Sequence, residues 1–263
     1  MSTKHSDKPH PKENNNSNAD ITINKLQKLE DFRRVLNKYQ MSKEASKLLS
    51  STPLVVLVSI TAAGRNTIIN QLIKTKDYHY VVSDTTRYPR KNNGVMEQNG
   101  VEYWFRKEED MLKDLQKGLF LEAAIIHDQQ VSGISLRELQ VASDLQKIAI
   151  TEIEIQGSQN ILQNNPDSIL PLFIIPPSYQ AWIRRWETRG EVSLQEKRRR
   201  TQSAVSELTI ALNTDKYYFI INDNLNKTVQ MVNDHIKGKI DKSGNAQGRK
   251  IAADILKEIK QST

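Results

Sequence analysis

A chain of 263 residues with 37% hydrophobic content suits one large domain, or one domain with extensions at its ends. It holds no cysteine, which excludes disulfides, zinc–thiolate centres and thiol chemistry, and it has no run long and apolar enough for a membrane span. The formal net charge of +7 makes nucleic acid a partner to weigh once the charge is located.

Residues 1–20 are polar, rich in Asn, Lys and Pro, and without the apolar stretch of a secretion signal. They are expected to be a disordered tail on a cytoplasmic protein. Residues 21–52 are expected to form a helical extension. There Ile23, Leu26, Leu29, Phe32, Val35, Leu36 and Tyr39 recur every three or four positions, and a second short helix follows near 43–49. The apolar stripe suits either packing on the domain or a protein partner. After Pro53 strand and helix patterns alternate. LVVLV (54–58), HYVVS (79–83), KIAITEIEI (147–155), SILPLFIIPP (168–177) and YYFIIND (217–223) read as buried strands, the pattern of a parallel α/β sheet flanked by helices. VEYWF (101–105) and FLEAAIIH (120–127) bracket a charged helix and mark a small inserted β-rich subdomain at about 84–135. SGNAQG (243–248) reads as a linker by composition, and a final helix carries Ile251, Ile255, Leu256 and Ile259 on one face. Residues 238–263 are thus a basic linker and helix. They lack aromatic residues for base stacking, so a solvated helix face is expected there rather than a nucleic-acid site.

Two segments carry chemistry. SITAAGRNT (59–67) follows the first strand and opens a helix, where the phosphate loop G-x-x-x-x-G-K-S/T belongs; here it reads S-x-x-x-x-G-R-N. Backbone N–H groups and the helix N-terminus build such a cradle, so it tolerates side-chain changes while its shape survives. Ser59, Thr61, Ala62, Ala63, Gly64, Arg65, Asn66 and Thr67 are the candidate ATP residues. Ser59 and Ala62 stand at glycine positions, and either one at φ > 0 carries about 1–2 kcal/mol of strain. Arg65 stands where lysine reaches the phosphates and keeps its charge. Asn66 stands where Ser or Thr holds Mg²⁺, and its amide oxygen is a substitute ligand. Alone, the segment reads equally well as an ordinary strand–turn–helix corner. In SDTTRYPR (83–90), Arg87 and Arg90 follow a hydroxyl-rich strand end and suit bidentate phosphate capture.

Further segments follow in order: NGVEYWF (99–105), GLFLE (118–122), EIEIQG (152–157), PPS (176–178), RWETRG (185–190), Arg200 and NDN (222–224). With SDTTRYPR and the loop, this order resembles the guanylate kinase family over about 54–236. The resemblance implies a domain at 53–237 with the P-loop nucleoside-monophosphate-kinase fold, the insertion as its GMP-binding part and a helical lid at about 184–202. It implies phosphoryl transfer from ATP to GMP, giving GDP, with Mg²⁺. Position by position, it implies that Ser83, Arg87, Arg90 and Tyr103 hold the GMP phosphate. Glu122 and Glu154 read the guanine, and Ser135 supplies a hydroxyl. Glu152 with Asn66 lies near Mg²⁺, and Asn222 lies near the adenine. Arg185, Arg189 and Arg200 close over the phosphates and, with Arg65, are the catalytic candidates. Such a set fits phosphoryl transfer, which needs positioning and charge neutralisation.

The sequence departs from the family at the phosphate loop, and at QQVSGIS (129–135), which lacks the tyrosine of the acceptor loop. It also departs at the longer KNNGVMEQNG (91–100), and in carrying Glu rather than Asp at 152 and 154. A module of the same type without turnover, binding a nucleotide, phosphopeptide or protein, is the alternative. Without the resemblance, Arg184, Arg185 and the 198–200 arginines read as a solvated face, Glu122 as a paired core carboxylate, and Tyr103, Trp182 and Trp186 as packing. His127 has no metal-ligand companion and reads as structural.

Overall fold

The computed structural model describes residues 26–92, 94–165, 167–188 and 193–262. Two helices, α1 (Leu29–Leu36) and α2 (Lys43–Ser51), lead into β1 (Leu54–Ser59). All six residues of β1 are buried, as befits the middle strand of a sheet covered on both faces. After α3 (Arg65–Leu72) and β2 (Tyr78–Tyr80), the chain leaves this sheet to build the insertion, then returns through α5 (Leu136–Asp144) to β9 (Ile148–Glu152). α6 (Ile155–Asn164), β10 (Ile169–Ile175), α7 (Tyr179–Glu187), α8 (Leu194–Leu212), β11 (Tyr218–Ile221), α9 (Leu225–Ile236) and α10 (Lys242–Ser262) complete the domain. The sheet order is β11-β10-β1-β9-β2, all parallel. Leu57 of β1 lies beside Glu152 of β9, so the carboxyl end of β9 stands next to the loop that leaves β1. That edge is where open parallel sheets carry their ligands.

The insertion holds β3 (Asp84–Thr85), β4 (Lys91–Asn92), β5 (Val95–Met96), β6 (Trp104–Phe105), α4 (Glu108–Gln116), β7 (Phe120–Ile126) and β8 (Gln130–Ser135). Four strands pair in the order β6-β3-β8-β7, and β4 and β5 form a separate hairpin. Fully buried Asp84 joins its parts by accepting hydrogen bonds from Arg106 (2.7 Å) and Arg137 (3.1 Å).

The structure corrects several sequence readings. α1 ends at Leu36, before the last residue of the apolar stripe, Tyr39, which is used elsewhere. Its hydroxyl donates to Phe120 O (2.6 Å) and accepts from Phe120 N (2.9 Å). The apolar stripe packs on the insertion: Phe32 is buried with Met111, Leu115, Phe120 and Val131. Ile23 and the tail lie outside the described residues. The strand expected at 147–155 stops at Glu152, and Ile155 already begins α6. Only residues 104 and 105 of VEYWF pair as a strand. SGNAQG is not a linker but part of α10, which lies along β11. Asn245 accepts from Phe219 N (2.9 Å), and a Cβ at Gly248 would stand 2.7 Å from Phe219 Cβ. The small residues that suggested a flexible segment serve close approach of helix to strand. Ala252, Ile255 and Ile259 are buried beneath it. Among the described residues no helix is long and apolar enough to cross a membrane.

Candidate active site

The loop between β1 and α3 turns through two left-handed residues although two of its glycine positions are replaced. Ala62 has φ +64° and Gly64 φ +100°, while Ser59 stays in ordinary strand geometry, its hydroxyl donating to Ile60 O (2.8 Å). Of the two replaced glycines, therefore, only position 62 carries left-handed strain. Gly64 is needed twice over: its φ is costly for other residues, and a Cβ there would stand 2.5 Å from Asn222 Nδ2. Three side chains grip the outside of the loop. Trp182 Nε1 donates to Thr61 O (2.8 Å), Asn222 Nδ2 to Ala63 O (2.7 Å), and Arg185 to Ala63 O (3.4 Å) and to Asn222 O (2.5 Å). Arg185 and Asn222 were expected at the phosphates and the adenine. Here both donate to backbone carbonyls, Arg185 to those of Ala63 and Asn222, and Asn222 to that of Ala63.

Arg65 opens α3 but leans across to β9. It donates to Ile153 O (2.9 Å), and its Nε lies 3.8 Å from Glu152 Oε2. Asn66 donates to Glu152 Oε1 (2.8 Å). Glu152 Oε2 is buried with no hydrogen-bond partner. That oxygen and the Asn66 amide oxygen fit Mg²⁺, which is held by one or two protein oxygens together with waters and substrate phosphates. Among the described residues no group of three or more His, Cys, Asp or Glu side chains forms an all-protein cage. Thr67 is exposed on the first turn of α3.

Ser83, Arg87 and Tyr103 line a cavity of about 900 Å³ together with Asn66 and Glu152. Arg87 is 8% exposed and makes a two-point contact with Glu97 (2.5 and 2.9 Å), its guanidinium 4.7 Å from the Tyr103 ring centroid. The pairing holds the Glu97 carboxyl below its usual range. Glu97 also accepts from Arg90 N (2.9 Å), while the Arg90 side chain is exposed and does not line this cavity. His79 on β2 approaches Glu138 (2.8 Å), whose other oxygen accepts from Trp104 Nε1 (2.8 Å), closing the far wall.

A second cavity, of about 500 Å³, lies against α8 and is lined by Thr61, Arg65, Glu154, Arg200 and Glu207, among others. Arg200 bonds Glu196 (2.5 Å); Arg199 bonds Glu196 (2.9 Å) and reaches His127 Nε2 (3.2 Å) on the β7–β8 turn. Glu122 is buried and lines neither cavity. A Cβ at Gly157 would stand 3.0 Å from its Oε2. Burial pushes the Glu122 carboxyl up to about 7, and the Glu154 carboxylate adds to the shift. Ser135 is buried with its hydroxyl unpartnered. Arg189 lies outside the described residues. Glu207 was missed in the sequence. Its carboxyl is also pushed up to about 7, by burial first, with Arg65 opposing and Glu154 adding. Its spacing of seven from Arg200 puts both on one face of α8, the one available signal.

Comparisons with known proteins bear on the family and the fold. Residues 51–239 match the model of the guanylate kinase family. The guanylate kinase of Caldanaerobacter subterraneus subsp. tengcongensis is 32% identical over 184 residues, covering 68% of this chain and 84% of that protein. The guanylate kinase of Synechococcus sp. is 34% identical over 186 residues, covering 67% of this chain and 78% of the relative. The crystal structure of guanylate kinase from Anaplasma phagocytophilum superposes with a TM-score of 0.53 at 23% identity, over 73% of this chain and 89% of that one, a likeness of fold. The chain belongs to the guanylate kinase family.

Proposed function

We propose that the protein transfers the γ-phosphoryl group of ATP to GMP, giving ADP and GDP. The observation that carries this reading is the backbone of the phosphate loop. Ala62 and Gly64 are both left-handed at the carboxyl edge of β1, a backbone that suits a cradle for the ATP phosphates with two of its glycines replaced. Arg65 stands at its mouth and leaves Ile153 O to meet the β- and γ-phosphates with its fork of donors. Asn66 and Glu152 would hold Mg²⁺, which would supply neutralisation of phosphate charge when bound with ATP. On the acceptor side Ser83, Arg87 and Tyr103 hold the GMP phosphate, with Arg87 exchanging Glu97 for phosphate oxygens. Glu122 and Glu154 accept from guanine N–H groups, and Ser135 adds its hydroxyl. An oxygen of the GMP phosphate attacks the γ-phosphorus, and the bond to the β,γ-bridging oxygen breaks as ADP leaves. Arg200 and Arg189 of the lid neutralise the charge that spreads over the transferred group.

A second reading is a guanylate-kinase-type binding module without turnover. It is favoured by one observation: Arg65 and Asn66 are both engaged with the end of β9. The test is direct. Purified protein is mixed with ATP, Mg²⁺ and GMP, and ADP and GDP are quantified. Equal formation of both above background supports the kinase. GMP binding with no GDP formed defeats it in favour of the module.

A further inference from the structure

Trp182 sits in the core of α7, 1% exposed and stacked on Trp186 with ring centroids 5.0 Å apart. Packing alone accounts for its ring but not for its N–H. In a trans peptide the N–H points opposite to the carbonyl that precedes it. Trp182 draws Thr61 O outward, so the N–H of Ala62 faces inward. Asn222 draws Ala63 O outward, so the N–H of Gly64 faces inward as well. Neither N–H has an acceptor among the described residues. Between them stands Ala62, the one non-glycine residue of the loop in the left-handed region. An alanine returns to φ < 0 unless its surroundings over-determine it, and the return would rotate these peptides and close the cradle.

We infer that Trp182, together with Asn222, is a positioning residue for the phosphate loop. Its indole N–H holds Ala62 left-handed and so keeps the loop N–H groups aimed at the nucleotide phosphates. This inference rests on the reading of the loop as the ATP site. Trp186 supplies a matched control: it belongs to the same stack, but its Nε1 has no partner.

Full-length wild type, Trp182→Phe, Trp186→Phe, Ala62→Gly and Ala62→Gly/Trp182→Phe are titrated with ATP and Mg²⁺ by calorimetry without GMP, and their thermal melts are recorded. Trp182→Phe leaves the Thr61 carbonyl without a donor and is expected to weaken ATP binding about tenfold, or about 1.4 kcal/mol. Trp186→Phe loses comparable packing and is expected to hold ATP affinity within about twofold. Glycine adopts positive φ without help, so with Ala62→Gly as background the Trp182→Phe loss is expected to shrink to about threefold or less. The inference is overturned by any of four results: wild type that binds no ATP, Trp182→Phe that binds as wild type does, an equal loss in Trp186→Phe, or no rescue by glycine at 62. Wild type that binds ATP yet forms no GDP defeats the kinase reading and leaves this one standing.

Discussion

Glu122→Gln removes a carboxyl that β7 holds in a buried setting. Its pKa is pushed from 4.5 to about 7, by burial first and by Glu154 second. The folded chain therefore binds this proton more tightly than the unfolded chain does. The sign follows from linkage: the ionised form penalises folding, so stability falls as pH rises from the unfolded value and the loss is complete above about 7. At 1.36 kcal/mol per pH unit the span corresponds to about 3 kcal/mol. Glutamine is neutral throughout and carries no such penalty. Urea unfolding of both proteins at about pH 5 and about pH 8 should show the stability difference moving towards Glu122→Gln by up to about 3 kcal/mol at the higher pH. Binding should move the other way. The ionised carboxylate is the form that accepts from guanine, so wild-type GMP affinity should climb relative to Glu122→Gln over the same range. A stability difference equal at both pH values, or a wild-type affinity that does not rise relative to the variant, refutes this account of Glu122.

Arg65→Ala should lower GDP formation about a hundredfold or more, in keeping with the loss of a charged donor at a transferring phosphoryl group. A full rate in the coupled ADP assay removes Arg65 from catalysis. Tyr39→Phe strips both partners from the Phe120 backbone, and denaturant unfolding should register about 1–3 kcal/mol. No measurable change would mean that the extension does not brace β7. Deleting residues 242–262 uncovers β11 and the Ala252–Ile255–Ile259 face, worth about 5 kcal/mol of burial, a large part of an ordinary domain's stability. Circular dichroism should show unfolding on mild heating; an unchanged melt contradicts the core role of α10.

The order of buried strands was legible because a strand covered on both faces must be apolar throughout, and β1 is the plain example. The phosphate loop was legible as a place but not as a conformation. Ser59 and Ala62 both stand at glycine positions, and only the surrounding contacts decide that Ala62 alone is left-handed. Composition misled at SGNAQG, since small residues mark close approach as readily as flexibility. Pairings between distant segments left no local trace. Arg185 and Asn222 meet the loop only because α7 and the end of β11 converge on it, and Glu97 reaches Arg87 only once the β4–β5 hairpin folds back. Glu207 is one glutamate among several on helices, and its burial depends on what the lid covers.

The β7–β8 turn, where His127 and Asp128 both have positive φ, is touched from two flanks. Arg33 of α1 reaches Asp128 (3.0 Å), and Arg199 of α8 reaches His127. The two supports are mechanically unequal. Behind Arg33 stand the wholly buried Phe32 and its cluster in α4 and β7. Both contacts with the turn are single exposed side-chain bonds, and the difference lies in the buried Phe32 cluster that anchors α1 itself. The N-terminal extension thereby ties the inserted sheet to α1 through buried packing as well as through the turn. Any displacement of α8 relative to the insertion must first break the Arg199–His127 contact.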